Sequence, residues 1–423
     1  MPESSHDRGY SAHYENVYLL GGARTPFGKF CGTLGTVSPT DLGILAAREA
    51  IGRSGVDPGE IDHVVFANII QAGFDAIYLP RHIGLYCGIP PSVPAMMVQR
   101  ICASGFEAIV SAGEQIVLGK AGIVLAGGSE NMTRAPTSSF GNRLGYRLGQ
   151  LEFGDMLWEG LKDPAVELSM GQTAENLARK YGITREEADT YALRSHRLAL
   201  ASSNNGVLSE EMVAVASGVL EMDGFTPRSY RTNPPQAKLE RDEGPRETDM
   251  DKLAQLPAVF DTDGIQTAGN SSAIVDGAAA AVVASGDVIE ARGLTPLARI
   301  VASASTGVDP RYMGIGPVPA IRKVLEVSGL SLDTIDLFEI NEAFAAQIIA
   351  VERELNLDRN RLNVHGGAIA IGHPLAATGT RLILTLALEL GRRGERYGIA
   401  SACVGGGQGT AVVVENTNLE NGS

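Results

Sequence analysis

The sequence has few cysteines, few aromatic residues, little positive charge and no long apolar run. Four cysteines in 423 residues are too few and too scattered for a disulfide framework, so a reducing compartment is expected. Neither C-x-x-C nor H-E-x-x-H spacing occurs, and we therefore predict no metal site. A formal net charge of −14 argues against general affinity for nucleic acid or anionic membranes. No apolar stretch reaches the roughly 18 residues of a membrane span.

Glycine, by contrast, is abundant, and its 51 copies cluster in short motifs that indicate tight turns and close backbone approaches. With aromatic residues at 5%, the core has to be built mainly from Ala, Val, Ile and Leu. The first 16 residues are polar and mix charges of both signs, which fits neither a signal nor a transit peptide. We therefore predict a flexible tail over residues 1–16 on a cytoplasmic protein.

The order of apolar segments indicates an α/β fold. Strand-like runs at 17–20, 61–70 and 123–126 alternate with helical patterns at 41–51 and 98–118. Such alternation is typical of a largely parallel sheet that helices cover.

The C-terminal part repeats the N-terminal part. Residues 54–62 line up with 328–336, and the same offset of 274 carries 102–105 onto 376–379. We infer two similar α/β halves that pack about a pseudo-dyad.

The length of the chain suggests two or three domains. We predict an N-terminal half at 17–130 that is completed by 263–288, and a C-terminal half at 289–423. Between them, residues 131–262 are richer in charge, proline and methionine, and we expect an inserted loop domain that covers a binding site.

Two cysteines and a histidine are the candidates for chemistry. Cys102 stands where a helix begins, and a helix N-terminus lowers the pKa of a thiol. His373 precedes a proline that opens an apolar helix, and Cys403 begins a glycine-rich run. The duplication places all three near the pseudo-dyad, which predicts covalent catalysis. Structural roles for Cys102 and His373, and a phosphate-cradling or simple turn role for the glycine run, remain alternatives.

Six short blocks give the chain a resemblance to the thiolase family, from about residue 17 to residue 415. The blocks are Gln99–Gly105, Met170–Asn176, Ala268–Ser272, Asn341–Ala345, Gly372–Pro374 and Cys403–Gly409. The resemblance implies a duplicated fold of α-β-α-β-α layers with an inserted loop domain.

The resemblance also implies ping-pong acyl transfer between coenzyme A thioesters. Cys102 would be the nucleophile that His373 activates, and Cys403 would be the acid/base. His373 and a water held by Asn341 would bind the enolate oxygen. The acyl oxyanion would lie between the backbone N–H groups of Cys102 and Gly405.

The implied substrates are acetyl-CoA, 3-ketoacyl-CoA and CoA, with no further cofactor, on a homodimer or homotetramer. Expected contacts to coenzyme A include Ser272 on the pantetheine arm, with phosphate contacts by arginines of the insertion. The full set of expected contacts is Ser272, Met170, Phe344, Arg228 and Arg231.

The sequence departs from the usual family pattern at four places. Gln99 replaces Asn, Ser169 replaces a frequent His, Ala273 replaces Gly, and Ala376-Ala377-Thr378 replaces a run that ends in Ser. We expect none of these changes to touch a catalytic group, although Ser169 leaves the size of the acyl pocket open.

The first hypothesis is an acetyl-CoA acetyltransferase that condenses two acetyl-CoA molecules and catalyses the reverse thiolysis. A degradative 3-ketoacyl-CoA thiolase of broad chain length is the alternative within the family. A ketoacyl synthase-type condensing enzyme is disfavoured by Cys403, since such sites lack a second cysteine in a glycine loop. A non-catalytic lipid carrier or scaffold is disfavoured because the nucleophile and the Asn341 block are both present.

Overall fold

The small-residue apolar runs form one mixed sheet of eleven strands, and the structure, a computed structural model, describes residues 9–419. The strands are β1 (Gly9–His13), β2 (Val17–Arg24), β3 (Gly28–Lys29), β4 (His63–Ala67), β5 (Ala95–Val98), β6 (Ile123–Asn131), β7 (Thr137–Ser138), β8 (Gly154–Asp155), β9 (Lys162–Asp163), β10 (Leu168–Ser169), β11 (Val215–Ala216), β12 (Gly218–Leu220), β13 (Arg228–Tyr230), β14 (Lys238–Leu239), β15 (Val275–Ser285), β16 (Ala298–Gly307), β17 (Leu337–Ile340), β18 (Tyr397–Val404) and β19 (Gln408–Glu415).

Helices cover both faces of the sheet. They are α1 (Pro39–Ser54), α2 (Leu79–Tyr86), α3 (Ser104–Val117), α4 (Met156–Gly160), α5 (Met170–Tyr181), α6 (Arg185–Asn204), α7 (Met250–Ala254), α8 (Gly286–Arg292), α9 (Pro317–Ser328), α10 (Ala345–Leu355), α11 (Ala368–Ile371) and α12 (Leu375–Arg393).

The strand order shows the duplication directly. The sheet runs β17-β18-β19-β16-β2-β15-β6-β4-β5, so β16-β19-β18-β17 mirrors β2-β15-β6-β4. The two halves meet where β2 pairs with β16 over only two residue pairs. The offset of 274 also relates α1 to α9, which end at Ser54 and Ser328 before glycines with φ of 70°.

The sheet is mixed rather than largely parallel as expected. Only β4–β5, β4–β6 and β17–β18 pair in parallel, while β15 and β19 run antiparallel to both main neighbours. One reason is local. The Gly405–Gly407 turn joins β18 to β19 as an antiparallel hairpin, whereas a parallel sheet needs a helical crossover between successive strands.

The layers are α-β-α-β-α, as the thiolase-like fold implies. Helices α3 and α12 form the middle layer in one core cluster with strands of both halves, including Val124 of β6 and Ala402 of β18. Helices α1 and α2 lie outside the N-terminal half, and α9 and α10 lie outside the C-terminal half.

The segment between β6 and β15 contains α4 to α7 and four two-stranded ribbons, which pair β7 with β8, β9 with β10, β11 with β14, and β12 with β13. Its helices α5 and α6 join the core cluster of the C-terminal half through Leu177 and Tyr191. The insertion is therefore anchored to the second half as well as to the first.

The start of the chain differs from the predicted tail. Residues 9–13 form β1, which pairs antiparallel with β16 from Gly9↔Thr306 to His13↔Ala302. The Arg100 guanidinium carbon lies over the Tyr10 ring, 5.2 Å from its centroid, in a cation–π contact. Residues 1–8 lie outside the described part. Over residues 9–419, no helix has the length and apolar character that crossing a membrane requires.

Candidate active site

Cys102 lies on a strained turn at the entrance to α3. The single 3-10 turn Ile101–Ala103 precedes the helix, and Ile101 has a φ of +44°, which a β-branched residue rarely adopts. Ser104 Oγ holds this turn, since it accepts from the Arg100 N–H at 2.7 Å and donates to the Ile101 carbonyl at 2.7 Å. Backbone strain that neighbours enforce is common at reactive residues.

Two equivalent glycines let α3 and α12 touch near their starts. A Cβ on Gly105 would lie 2.7 Å from the Ala376 carbonyl oxygen, and one on Gly379 would lie 2.2 Å from the Phe106 nitrogen. The two glycines are 274 residues apart, so they are counterparts in the duplication. This contact brings the Cys102 turn and the His373 segment to the pseudo-dyad.

His373 is buried with one ring nitrogen bound and the other without a partner among the described residues. Its Nδ1 lies 2.6 Å from Thr378 Oγ1, and that hydroxyl donates to the Pro374 carbonyl at 3.0 Å. A hydroxyl has one proton, so Thr378 accepts from the Nδ1–H and leaves Nε2 as a free acceptor. Burial, with a smaller effect of Arg381, lowers the pKa of His373 to about 3, and the ring is a neutral base.

Asn341 presents a second unpaired polar group. The residue is fully buried, its backbone N–H donates to the Ser401 carbonyl at 2.9 Å, and neither side-chain amide atom has a hydrogen-bond partner within residues 9–419. A buried amide without partners indicates a place for water or ligand.

Cys403 ends β18 in an apolar surrounding. Burial raises its pKa well above the ordinary value, and the nearby Cys102 sulfur raises it further. Cys403 belongs to a small apolar cluster with Met170, Ala174, Phe260, Met313, Ala343 and Phe344. The second thiol therefore lies in mostly apolar surroundings.

The pKa of Cys102 does not follow the expected lowering by the helix start. Burial raises it to about 11, and the carboxylate of Glu130 adds to the rise. The backbone N–H groups of Gly405 and of Cys102 itself act in the opposite direction by hydrogen bonding to the sulfur. Desolvation therefore outweighs the helix start, and the thiol needs a base such as His373 to become a nucleophile.

An apolar wall lies beside Cys102. Its members come from the ends of β4 and β6, from the insertion and from the start of α12: Ile69, Ile70, Met132, Ala135, Leu157, Leu161, Ile274 and Leu375. A hydrocarbon chain attached to the Cys102 sulfur would meet this wall.

Three of the predicted coenzyme A contacts lie near the catalytic group. Ser272 is partly buried, and its N–H donates to the Ala343 carbonyl at 2.9 Å. A Cβ on Gly405 would lie 3.4 Å from Met170 Sδ. Phe344 packs edge-on against Phe260, with ring centres 5.7 Å apart.

The two arginines predicted to contact the coenzyme A phosphates differ from each other in their surroundings. Arg228 forms ion pairs with Asp41 at 2.6 Å and with Asp75 at 2.8 Å, so its charge is already balanced by two carboxylates. The guanidinium is partly exposed, and its contact with a coenzyme A phosphate stays a prediction. Arg231 is exposed and forms no ion pair to any residue in the described range.

A different basic cavity lies on the insertion. It has a volume of about 340 Å³, and its wall includes the buried His196 with Arg197, Arg246 and Lys252. Glu247 and Asp249 also line it, and Asp249 lies 3.2 Å from Lys252 Nζ, so the excess positive charge comes from the two arginines. The chain passes close to α11 just before this wall, since a Cβ on Gly244 would lie 2.3 Å from the Ala370 carbonyl oxygen. The cavity thus lies beside the segment that leads to His373.

Sequence reasoning overlooked Thr378 and Glu130. Thr378 was noted as a departure that touches no catalytic group, yet it binds the ring of His373. The sequence feature that could have indicated this contact is a hydroxyl one helical turn after Pro374. Glu130 is a fully buried carboxylate at the end of the apolar strand β6, and a charge in such a strand was the available signal.

Comparisons with known proteins agree with this geometry. Residues 17–287 match the family described as thiolase, N-terminal domain, and residues 294–416 match thiolase, C-terminal domain. The chain is 46% identical over 403 residues to the mitochondrial 3-ketoacyl-CoA thiolase of Bos taurus, which spans 95% of this chain and 98% of that protein.

An acetyl-CoA acetyltransferase of Syntrophomonas wolfei is 42% identical over 404 residues, with 94% of this chain and 98% of that protein covered. Among solved structures, human mitochondrial 3-ketoacyl-CoA thiolase superimposes with a TM-score of 0.90 at 44% identity, and the match covers 96% of this chain and 100% of that one. The chain therefore belongs to the thiolase family and is an acyltransferase.

Proposed function

We propose that the protein condenses acyl-CoA with acetyl-CoA to 3-ketoacyl-CoA and CoA, and catalyses the reverse thiolysis, with Cys102, His373, Cys403 and Asn341 as its catalytic side chains. The observation that carries the proposal is a pair of unpaired polar groups in segments that pack against those of Cys102 and Cys403. The Nε2 atom of His373 and the amide of Asn341 are buried and unsatisfied, and a thioester oxygen with a water would satisfy both.

In the first half-reaction, the Cys102 sulfur attacks the thioester carbonyl and its proton passes to His373 Nε2. The carbonyl oxygen receives hydrogen bonds from the N–H groups of Cys102 and Gly405 while it carries negative charge. The bond to the coenzyme A sulfur then breaks, and that sulfur leaves with the proton of Cys403. The products are acyl-Cys102, free CoA and a Cys403 thiolate.

In the second half-reaction, the Cys403 thiolate takes a proton from the α-carbon of acetyl-CoA. The enolate oxygen is held by protonated His373 and by the water on Asn341. The enolate carbon attacks acyl-Cys102, the carbon–sulfur bond breaks, and Cys102 regains its proton from His373. Protein side chains carry every proton and the acyl group, so the scheme uses no cofactor besides the thioester substrates.

For acyl chains beyond acetyl, the apolar wall beside Cys102 favours the broad-chain alternative. Leu157 and Leu161 are placed to contact the hydrocarbon tail of an acyl group on Cys102. Ser169 caps α5 by accepting the Gln172 N–H at 3.3 Å, and this short side chain leaves more room than a histidine. Relatives named for both activities are compatible with either preference.

The test is CoA-dependent cleavage of 3-ketoacyl-CoA substrates from four carbons to long chains, compared as kcat/KM. Each methylene that the wall accepts changes selectivity by about 1 kcal/mol or more. The dependence of kcat/KM on chain length therefore distinguishes a broad-chain thiolase from an acetyl-CoA acetyltransferase. A flat or rising profile supports a broad-chain thiolase, and a sharp four-carbon preference supports an acetyl-CoA acetyltransferase. No cleavage at any length would overturn the proposed function.

Coenzyme A is held in this scheme by Ser272, Met170 and Phe344 at its pantetheine end. Arg197 and Arg246 of the basic cavity are our added proposal for its phosphate end, beside the predicted Arg228. Arg231, exposed and without an ion pair in the described range, remains a candidate. The cytoplasmic location remains a prediction from composition.

A homodimer or homotetramer is also part of the proposal. Large apolar side chains crowd one exposed stretch of the insertion: Phe140, Leu144, Leu148, Leu151, Phe153 and Trp158. Such a concentration of exposed apolar surface is typical of an interface. A second copy of the chain is the partner we propose for it.

A further inference from the structure

Glu130 is a buried carboxylate that contacts segments of both halves of the molecule. It lies at the end of β6 and is fully buried. One carboxylate oxygen accepts the Ile70 N–H at 2.9 Å and the Asn68 side-chain amide at 3.2 Å. The other accepts the Ile69 N–H and the Ala376 N–H, each at 3.2 Å. Four donors from two halves of the chain thus converge on one side chain.

The contact with Ala376 matters for the histidine. Ala376 lies in the first turn of α12, and Pro374, the residue at the N-cap, makes no side-chain cap. A carboxylate is the group that an uncapped helix N-terminus favours. Glu130 supplies it from the other half, and so fixes the start of the helix that directly follows His373.

The contacts with Ile69 and Ile70 matter for the nucleophile. Both residues belong to the apolar wall that touches Cys102. One carboxylate therefore connects the surroundings of the proposed nucleophile with the helix that directly follows its proposed base.

We infer that Glu130 is a positioning residue that holds the His373 segment against the Cys102 segment, and that its carboxylate, bound to Ile69 and Ile70 of the wall beside Cys102, acts on the thiol. The inference rests on the proposed function for its kinetic consequence only. The effect on the thiol is independent of any coenzyme A substrate.

The groups around the thiol define the direction of that effect. Within residues 9–419, the Glu130 carboxylate is the one charged group that raises the pKa of Cys102, while His373 is neutral and Cys403 is a protonated thiol. Burial and Asp276 on β15 raise the pKa of Glu130 itself, and the N–H groups of Ile70, Ile69 and Ala376 lower it. Donors on both oxygens favour the charged form, and removal of that charge makes the Cys102 thiolate easier to form.

Two substitutions separate charge from position. Glu130→Gln removes the charge and turns an NH2 group toward N–H donors, whereas Glu130→Asp keeps the charge but shortens its reach. Glu175→Gln is the matched control, because Glu175 is a buried carboxylate that accepts the N–H groups of Ile265 and Gln266 away from Cys102. The readouts are thermal stability, thiolysis kinetics, and the pH profile of Cys102 alkylation by iodoacetamide.

For Glu130→Gln we expect kcat to fall at least about ten-fold with KM for CoA changed less than about two-fold, because positioning acts on the transition state. Its alkylation profile moves to lower pH. Glu130→Asp loses kcat but keeps the wild-type profile, and Glu175→Gln keeps the profile as well.

Wild-type kcat in Glu130→Gln would overturn the inference, and so would an unmoved alkylation profile, which would reduce Glu130 to a structural role. If Glu130→Gln does not fold, Glu130→Asp decides, since wild-type kcat in that variant contradicts positioning. A wild-type protein that alkylates normally but cleaves no 3-ketoacyl-CoA would refute the proposed function while leaving the effect on the thiol measurable.

Discussion

At the scale of single residues, the site depends on which nitrogen of His373 is free. The ring is neutral and buried, and Thr378 binds its Nδ1–H while donating to the Pro374 carbonyl. A hydroxyl at this position therefore selects the tautomer in which Nε2 is free to accept a proton, as the proposed mechanism requires.

Thr378→Val should lower kcat about ten- to hundred-fold, because a buried N–H without a partner costs about 1–3 kcal/mol and the tautomer is no longer selected. Thr378→Ser keeps the hydroxyl and should retain activity near wild type. Steady-state thiolysis of the two variants checks the role. Equal loss in both variants would indicate packing of the threonine methyl group instead.

The pH dependence follows from the same ring. Burial keeps the pKa of His373 far below its usual value, at about 3, and the base stays unprotonated as the pH falls through the ordinary histidine range. We expect kcat/KM to lack an acid limb between about pH 5 and 7, where an exposed histidine with a pKa of about 6.5 would titrate. An acid limb near pH 6.5 that Thr378→Ser shares would contradict the depressed pKa.

At the scale of elements, the site depends on backbone contacts that only glycine permits. Besides the Gly105–Gly379 crossing, β6 approaches α12 so closely that a Cβ on Gly128 would lie 1.8 Å from the Ala376 carbonyl oxygen. The obstacle is backbone, so the start of α12 would have to move.

Gly128→Ala should therefore destabilise the fold by about 3 kcal/mol or more, as overpacking against backbone does, and should abolish thiolysis. Gly52→Ala is the control, since Gly52 lies inside α1 with no atom within 4 Å of the added Cβ. That variant should be neutral or gain up to about 1 kcal/mol from helix propensity. Thermal unfolding of both variants gives the comparison, and equal stability would refute the close contact.

Much of the element level could be predicted from the sequence, because the pattern is local. The repeated run that ends α1 and α9 at Ser54 and Ser328 is readable as two offset copies of one motif. Strand direction was not readable, since β15 and β19 look like any apolar run and pair through distant partners. Strand β1 was not predicted either, because its residues show no apolar pattern and form a strand by pairing with β16.

The site shows the same division. Cys102, His373 and Cys403 stand in short distinctive blocks, so the approach of the α3 and α12 starts could be predicted from the duplication; their joint catalytic role stays a prediction. The ion pairs of Arg228 and the contacts of Glu130 could not be predicted, because both depend on partners far along the chain, such as Asp41 for Arg228 and Ala376 for Glu130. The raised pKa of Cys102 likewise reflects burial, which the helix-start argument did not include.

At the scale of the whole molecule, each of the two similar halves holds part of the proposed catalytic set. The N-terminal half holds Cys102 and Glu130, and the C-terminal half holds Asn341, His373 and Cys403. The insertion supplies part of the apolar wall, including Leu157 and Leu161, and a stretch of exposed apolar side chains.

Leu148→Asp tests the proposed association of copies. Leu148 is fully exposed in the chain alone, and a carboxylate there should weaken an apolar interface, so light scattering should give a smaller particle than for wild type. Leu118→Asp alters another exposed leucine, outside this stretch, and should leave the mass unchanged. Identical masses for wild type and both variants would exclude this surface as the interface.

The most direct test of the two-thiol mechanism is a comparison of Cys403→Ala with Cys102→Ala after incubation with acetyl-CoA, by intact mass and by formation of acetoacetyl-CoA. Cys87→Ala serves as the control, since Cys87 is a buried cysteine of the outer layer. We predict that Cys403→Ala still takes one acetyl group on Cys102, because protonated His373 or water can protonate the departing CoA, and that it forms no acetoacetyl-CoA. Cys102→Ala should do neither, and Cys87→Ala should do both. Condensation by Cys403→Ala at the wild-type rate, or an acetyl group on Cys403 in the wild-type protein, would contradict the mechanism.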